Sequence, residues 1–156
     1  MDAICIDIDG TIANLDHRLH YIREKPKDYD AFYAAMSEDT PISDTLWLID
    51  LLVTGYYRHD ESFSIFVCTG RPENYREQTE AWLGVNAPRL YFMAQSIMMR
   101  PTKDYRKDSV IKNEMRQQIE GQGYDIRIVL DDRQQVVDEW RKHGITCLQV
   151  NQWDET

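Results

Sequence analysis

The chain has 156 residues, of which 42% are hydrophobic and 29% charged, the balance of an ordinary soluble globular protein of one domain, residues 1–156. Its formal net charge of −9 argues against a protein that grips long nucleic acid by neutralising phosphates, which takes clusters of lysine and arginine. No apolar run approaches the roughly 18 residues that suggest a membrane span, and the N-terminus lacks a signal-peptide pattern, so we expect a cytoplasmic protein without a membrane partner.

The first predicted element is a short buried strand over residues 3–6, and it leads directly into Asp7-Ile8-Asp9-Gly10-Thr11. Two carboxylates one residue apart at a strand end suit phosphoryl transfer, because one can attack phosphorus while the other gives a proton to the departing alcohol. The same string would also serve as an Asp-Gly turn with both acids solvated.

Residues 15–40 come next and predict two short helical pieces rich in aromatic side chains. We expect Phe32 and Tyr33 to pack these pieces onto the core, and we keep Tyr21 open as a side chain that stacks on a base.

The rest of the chain alternates between helices and strands. Proline and glycine positions together with apolar spacing predict helices over residues 41–55, 72–84, 110–119 and 136–143. Apolar runs predict strands over residues 64–68, 90–93, 126–130 and 145–150. The alternation predicts an α/β, Rossmann-like three-layer fold with a central parallel sheet.

Polar groups directly follow two more of the predicted strands. Thr69-Gly70-Arg71 comes after residues 64–68, and Asp131-Asp132-Arg133 comes after residues 126–130. Ligands bind beyond the carboxyl ends of parallel strands. These groups and residues 7–11, which we call the pentad, should therefore converge on one crevice.

In this order the motifs resemble those of the haloacid dehalogenase (HAD) superfamily of phosphatases. Residues 106–112 and 130–141 are similar to the 3′-phosphatase domain of phage polynucleotide kinase-phosphatases, and residues 9–13 and Arg18 fit the same pattern. No GxxxxGK[ST] phosphate loop of the kinase half occurs in the sequence. The resemblance therefore implies a phosphatase that works alone or beside a separate kinase or ligase. Since HAD phosphatases carry a cap where residues 15–40 stand, it also implies a small helical cap insertion and a fairly open site.

The resemblance implies a nucleophile, an acid and a metal site. Asp7 would attack phosphorus to form an aspartyl-phosphate, and Asp9 would be general acid and then general base. Oxygen ligands select Mg²⁺, held by Asp7, the backbone carbonyl of Asp9, and Asp131 or Asp132. Which member of that adjacent pair binds the ion directly stays open, and the other would act through water or orient Lys112.

The substrate phosphate would be bound by groups from three segments. Thr69 and the following amides would hold the phosphoryl oxygens, Gly70 would allow close approach, Arg71 would fork onto the phosphate, and Arg18 would bind phosphate or backbone. A helix cap at Thr69 and a surface position for Arg71 are the alternatives.

Lys112 would clamp the phosphate, and Asp108, four residues earlier, would share its helix face and belong to the phosphate-binding residues. An ordinary surface ion pair would have the same spacing, and Lys103 and Lys107 compete for the role.

The function expected from the resemblance is Mg²⁺-dependent removal of 3′-phosphates from polynucleotide ends, as nucleic acid repair requires. The acidic charge keeps open a nucleotidase that acts on free nucleoside monophosphates, and a non-catalytic nucleotide-binding module is the alternative from another class. Cys5, Cys68 and Cys147 lie in apolar runs without CxxC spacing, which predicts reduced, buried thiols.

Overall fold

The computed structural model describes residues 1–56 and 62–152. The strands in these residues are β1 (Asp2–Ile6), β2 (Ala13–Asn14), β3 (Thr40–Pro41), β4 (Phe63–Pro72), β5 (Ala94–Arg100), β6 (Asp125–Asp131) and β7 (Thr146–Gln149). The α-helices are α1 (His20–Arg23), α2 (Tyr29–Ala34), α3 (Ser43–Tyr56), α4 (Arg76–Asn86), α5 (Pro88–Met93), α6 (Asp108–Gly121) and α7 (Gln134–Lys142).

The central sheet has five parallel strands in the order β5-β4-β1-β6-β7. Strand β1 is the middle strand, so both of its edges are paired and the residue that follows it lies at the centre of the carboxyl edge. The predicted α/β architecture with a central parallel sheet is confirmed.

Helices cover both faces of the sheet because the strands are apolar on both sides. Ala3 and Cys5 of β1 point to a core that α6 and α7 complete, with Trp140 as its largest fully buried side chain. Ile4 and Ile6 point the other way, toward α3, α4 and α5. This period of two along β1, with apolar side chains on both sides, is typical of a parallel sheet in a three-layer fold.

Residues 15–40, which we call the inserted segment, leave and rejoin the core at one point. Strands β2 and β3 pair antiparallel, with Asn14 opposite Thr40, and this pairing holds the two ends of the segment together. Between them lie α1, α2 and two 3-10 turns. Leu15, Leu19 and Phe32 form a small core of the segment.

The strand predicted over residues 90–93 is wrong. These residues belong to helix α5, and the strand is β5, which begins at Ala94. Pro88 stands in the first turn of α5, where its fixed φ suits a helix and its missing N–H costs nothing. As an edge strand with a single neighbour, β5 exposes Gln95 and Ser96, and its apolar run is confined to residues 97–99.

The helix predicted over residues 72–84 is displaced. Pro72 has extended backbone (φ −67°, ψ 147°) as the last residue of β4, and α4 begins only at Arg76 after a 3-10 turn. Gly84 lies inside α4, which continues to Asn86. Proline thus continues the strand here, since its φ suits an extended chain as well as a first helical turn.

Cys5, Cys68 and Cys147 are buried and unbridged, as predicted. Within residues 1–56 and 62–152, no helix has the length and apolar character needed to cross a membrane.

Candidate active site

The carboxyl ends of β1, β4 and β6 meet at one cavity of about 650 Å³. Asp7 follows β1 and donates its backbone N–H to the carbonyl of Leu130 in β6, at 3.0 Å. Asp7, Asp9, Asp131 and Asp132 all line the cavity. The convergence predicted from the strand ends is therefore present.

Lys112 reaches the cavity floor from helix α6. Its Nζ lies 2.8 Å from Asp7 Oδ1 and 2.9 Å from Asp131 Oδ2, and all three side chains are buried. Burial alone would lower the pKa of Lys112, but the carboxylates of Asp131 and Asp7 raise it well above its usual value. The lysine is thus a fixed positive charge beside the carboxylate proposed to attack phosphorus.

Three buried carboxylates surround this one ammonium group. Oxygen atoms of Asp7, Asp131 and Asp132 lie within 4.8 Å of one another. Burial and the neighbouring acids raise the pKa of Asp132 to about 9. Burial and the charge of Asp131 also raise the pKa of Asp7, to about 7, although Lys112 acts in the opposite direction.

The cluster fits a divalent cation. Three carboxylates and one ammonium leave an excess of negative charge that a cation would offset, and oxygen donors are the ligands that Mg²⁺ prefers. Asp131 Oδ2 is already bound by Lys112, whereas Lys112 forms no ion pair with Asp132 and Gln149 donates only to the backbone carbonyl of Asp132. Asp132 is therefore the member of the pair that is available to bind an ion directly.

Gly10 makes room for Asp132. It has φ +78°, which L side chains rarely adopt, and a Cβ added there would lie 1.9 Å from Asp132 Oδ2. Gly10 therefore allows the turn after β1, and its missing side chain leaves the space that the Asp132 carboxyl from the end of β6 occupies.

Asp9 faces away from this cluster, toward two arginines. Arg18 Nη2 and Arg71 Nη2 each lie 2.7 Å from Asp9 Oδ1. Burial works against ionisation of Asp9, but Arg71 and Arg18 outweigh it and lower the pKa to about 2. The carboxylate of Asp9 is therefore ionised, and it is not part of the metal cluster; only its backbone carbonyl remains as a predicted ligand.

Arg18 and Arg71 are fully buried behind Asp9 and do not line the cavity. The alternative of a surface position for Arg71 is wrong. In this arrangement both guanidinium groups bind carboxylates, and their binding of substrate phosphate stays a prediction. Arg71 Nη1 is buried without a hydrogen-bond partner among the described residues, so one donor of this pair remains to be used.

Asp39, which the sequence did not single out, joins these arginines. It accepts from Arg18 Nε at 2.7 Å and Nη2 at 2.6 Å, from Arg71 Nη2 at 3.0 Å, and pairs with His17 Nε2 at 2.8 Å. Its backbone carbonyl accepts from Trp82 Nε1 of α4 at 2.7 Å. Asp39 thereby ties the inserted segment to the core, and no motif marks it because its partners are distant in sequence.

The end of β4 is held by a second network. Arg100, at the end of β5, donates to the carbonyl of Gly70 at 3.0 Å and to Asp108. Asp108 also accepts from Arg133, and a Cβ on Gly70 would lie 2.8 Å from Asp108 Oδ1. Arg100 escaped prediction because its strand was misplaced.

Thr69, Lys112 and the competing lysines complete the predicted set. Thr69 is buried, and its Oγ1 accepts from the backbone N–H of Arg71 at 3.2 Å within β4 rather than at a helix start. The alternative of an ordinary Asp108–Lys112 surface ion pair is wrong, because Asp108 binds arginines while Lys112 turns to the cavity floor. Lys103 and Lys107 line the cavity but do not bind Asp7.

Aromatic side chains of the inserted segment divide between core and cavity. Phe32 is buried, as expected, with the guanidinium carbon of Arg18 4.3 Å from its ring centroid. Tyr33 lines the cavity, whereas Tyr21 lies against His20 and is absent from the cavity wall.

Comparison with known proteins gives one family and two related structures. Residues 1–154 match the family described as the polynucleotide kinase PNKP phosphatase domain. A chain of a Pnkp1/Rnl/Hen1 RNA repair complex is 28% identical with a TM-score of 0.73, over 98% of this chain and 43% of that one. A chain of a second Pnkp1/Rnl/Hen1 complex is 31% identical with a TM-score of 0.72, over 98% and 47%. The present chain thus spans less than half the length of either match.

More distant structures share the fold. A haloacid dehalogenase-like hydrolase from Streptococcus pneumoniae is 11% identical with a TM-score of 0.59, over 94% of this chain and 83% of that one. A HAD-family enzyme from Bacteroides thetaiotaomicron, solved as a magnesium complex, is 14% identical with a TM-score of 0.56, over 99% and 96%.

Proposed function

This chain belongs to the family of the polynucleotide kinase PNKP phosphatase domain, and we propose that it removes 3′-phosphates from polynucleotide ends with Mg²⁺ and an aspartyl-phosphate intermediate. The observation that carries the proposal is the buried set of Asp7, Lys112, Asp131 and Asp132 on the floor of a cavity at the sheet edge.

Asp7 is the proposed nucleophile because its carboxylate lines the cavity at the centre of the carboxyl edge. Lys112 Nζ holds Asp7 Oδ1 at 2.8 Å, which leaves Oδ2, with the Thr11 hydroxyl at 3.4 Å, for attack on phosphorus. The P–O bond to the substrate breaks as the Asp7–phosphorus bond forms, and the departing alkoxide takes a proton. Water then hydrolyses the acyl phosphate and restores Asp7.

Asp7, Asp131 and Asp132 would hold the Mg²⁺ ion, with Asp132 as a direct ligand and Asp131 shared with Lys112. Bound there, the ion would offset the repulsion between the carboxylate of Asp7 and the substrate phosphate.

Asp9 is the proposed acid and base. Its side chain lines the cavity, and the ionised form held by Arg18 and Arg71 is the form that activates water in the second step. In the first step Asp9 must carry a proton. One of the two arginines must therefore move from the Asp9 carboxylate to the substrate phosphate. Arg71, with its unused Nη1, is the arginine we assign to that movement.

A nucleotidase is the second candidate. The net charge of −9 disfavours a long polyanion, and about 650 Å³ is within the usual range for a small-ligand pocket. Both candidates use the same chemistry on the phosphate and differ only in what the leaving oxygen is attached to.

The related chains come from complexes named for Pnkp1, Rnl and Hen1 in RNA repair. We propose that this phosphatase likewise acts beside a polynucleotide kinase and a ligase, because a 3′-hydroxyl is the end that a ligase joins.

Phosphate release from matched oligonucleotides phosphorylated at the 3′ or the 5′ end, with Mg²⁺ or EDTA, tests the proposal. We expect fast, metal-dependent release from the 3′ end alone, and none from Asp7→Asn, which should still fold. Hydrolysis of free mononucleotides but of neither oligonucleotide would assign a nucleotidase instead. Turnover by the folded Asp7→Asn protein would exclude the aspartyl-phosphate route.

A further inference from the structure

The cavity has a wall of tyrosines that the chemistry on the phosphate does not use. Tyr29 and Tyr33 come from α2, and Tyr75 comes from the turn before α4. The rings of Tyr29 and Tyr33 have centroids 6.5 Å apart at 28°, and those of Tyr33 and Tyr75 are 5.2 Å apart at 34°. Three aromatic faces therefore follow one another along this side of the cavity.

Exposure separates Tyr29 from core packing, whereas Tyr33 is partly buried and also packs against the core of the inserted segment. Phe32, the neighbour of Tyr33, is 6% exposed and belongs to the core of the inserted segment. Tyr29 is 46% exposed although it is a large ring beside the cavity. An aromatic ring left half open to solvent at a substrate cavity has a face available for stacking.

The wall stands next to the reacting groups. Burial and the carboxylates of Asp108 and Asp9 raise the pKa of Tyr33, which puts the phenol within the field of both acids. Asp7 and Tyr33 line the same cavity, so a nucleotide whose phosphate lies at Asp7 would extend past Tyr33.

The loop between β5 and α6 adds positive charge to the same cavity. Lys103 and Lys107 line it and form no ion pair with any described residue, whereas Arg106 is bound by Asp104 and Glu114. Lys103 has φ 60°, a conformation that costs a non-glycine residue about 1–2 kcal/mol.

The charges that face these lysines must be counted as well. Asp30 lines the cavity beside Tyr75, Asp104 and Glu114 share Arg106, and Asp108 is shared by Arg100 and Arg133. The two shared clusters cancel, so Lys103 and Lys107 against Asp30 leave this rim with a small positive charge in a chain whose formal charge is −9. A positive rim next to aromatic faces is the arrangement that binds single-stranded nucleic acid.

We propose that Tyr29, Tyr33 and Tyr75 stack on the unpaired base of the 3′-terminal nucleotide, and that Lys103 and Lys107 bind the phosphate that precedes it. The inference rests on the proposed function and narrows its substrate to the end of a single strand of at least two nucleotides. At a blunt duplex end the terminal base exposes only its outer face and must break its pair to turn toward the wall. A mononucleotide has no preceding phosphate for the lysines.

The test compares four 3′-phosphorylated substrates and p-nitrophenyl phosphate. They are a single-stranded trinucleotide, the same trinucleotide with an abasic 3′-terminal residue, a blunt duplex end, and a nucleoside 3′-monophosphate. We expect kcat/KM to fall by about 5- to 150-fold from the intact to the abasic trinucleotide, the usual range for one stacked base. We also expect kcat/KM to be lower for the blunt duplex end than for the single strand.

Tyr29→Ala should lower kcat/KM on the intact trinucleotide alone and leave the abasic strand and p-nitrophenyl phosphate unchanged. Tyr33→Phe keeps the ring and should match the wild type. Tyr91→Ala removes a half-exposed tyrosine outside the cavity and is the matched control. If thermal unfolding shows Tyr29→Ala to be misfolded, Tyr75→Ala replaces it.

Lys103→Ala and Lys107→Ala should each lower kcat/KM for the trinucleotide and leave kcat/KM for the nucleoside 3′-monophosphate unchanged. For the trinucleotide, each should also reduce the slope of log kcat/KM against log salt concentration by about 0.7. Equal loss on every substrate, no preference for the intact base, or unchanged lysine variants would overturn the inference while 3′-phosphatase activity remained. Absence of activity on every nucleic acid end would instead refute the proposed function.

Discussion

Asp7 and Asp9 stand two residues apart on one strand end, yet their surroundings drive their protonation in opposite directions. Burial and neighbouring acids raise the pKa of Asp7 to about 7, while Arg71 and Arg18, against burial, lower that of Asp9 to about 2. The two carboxylates can therefore take different roles because the side chains brought to them from other elements differ.

The role of Asp9 can be read from the leaving group. We expect Asp9→Asn to lose about 10²–10⁴ in kcat on a 3′-phosphorylated oligonucleotide, whose alkoxide needs a proton to depart. On an activated aryl phosphate the same variant should lose much less in kcat, since the phenolate departs without needing a proton. Equal losses on both substrates, measured by phosphate release, would show that Asp9 is not the acid.

Asp39 is expected to position Asp9 through the arginines. Asp39→Asn removes one of two carboxylates that bind Arg18 and Arg71, so we expect unfolding to become easier by about 3 kcal/mol and kcat to fall on the order of 10²-fold.

Trp82→Phe is the matched control for Asp39. It removes the hydrogen bond to the Asp39 carbonyl together with part of a buried ring, at a cost of about 1–3 kcal/mol, and should leave kcat nearly unchanged. Denaturant unfolding and single-turnover rates check both variants, and a fall in stability without a fall in kcat for Asp39→Asn would make that residue purely structural.

At the scale of elements, the strand ends supply the site and the helices deliver what completes it. Asp7 directly follows β1, Gly70-Arg71 lie near the end of β4 and Asp131 ends β6, while α6 brings Lys112 to the same point. The glycines after β1 and within β4 let acids from other elements approach the backbone closely.

Gly70→Ala tests this close approach. Its Cβ would lie 2.8 Å from Asp108 Oδ1, so Asp108 must shift and loosen its bonds to Arg100 and Arg133. We expect kcat/KM to fall on the order of tenfold or more, since small misplacements are costly at a reacting centre.

Gly55→Ala is the control, because nothing lies within 4 Å of that site in α3. It should raise stability by about 0.4–1 kcal/mol and leave kcat/KM unchanged. Wild-type kinetics for Gly70→Ala would mean that the contact with Asp108 does not matter.

At the scale of the whole molecule, charge is distributed unevenly. The chain carries −9, yet the cavity rim has two unpaired lysines and the cavity floor concentrates three buried acids around one lysine. A cation bound at the floor would stabilise the native protein, because the unfolded chain has no such cluster.

Mg²⁺ should therefore raise the Tm. At a concentration about 100 times Kd the gain is roughly 2.7 kcal/mol, or about 5–10 °C for a chain of this size. Asp132→Asn should lose that shift. It should also have a higher Tm in EDTA than the wild type at neutral pH, because it removes a buried carboxyl that must take up a proton when the chain folds. Thermal unfolding with EDTA and with Mg²⁺ decides, and an undiminished Mg²⁺ shift in Asp132→Asn would move the metal site elsewhere.

Local sequence was sufficient for the elements whose signals are local. The buried strands β1, β4 and β6 read as apolar runs, and the parallel architecture followed from their alternation with helices. Strand β5 was missed because an edge strand need not be apolar, and the start of α4 was missed because a proline fits a strand end as well as a helix start.

The proposed site residues could be predicted from the sequence because each lies at a strand end or on a helix at a family spacing. They are Asp7, Lys112, Asp131 and Asp132. Which groups pair was decided only by the tertiary structure. Asp9 is held by Arg18, Arg71 and, through them, Asp39, and these contacts span 9 to 62 residues of sequence. Ion pairs between distant residues leave no periodicity, since they depend on how the inserted segment packs on the sheet edge, and that packing appears only when the chain is folded.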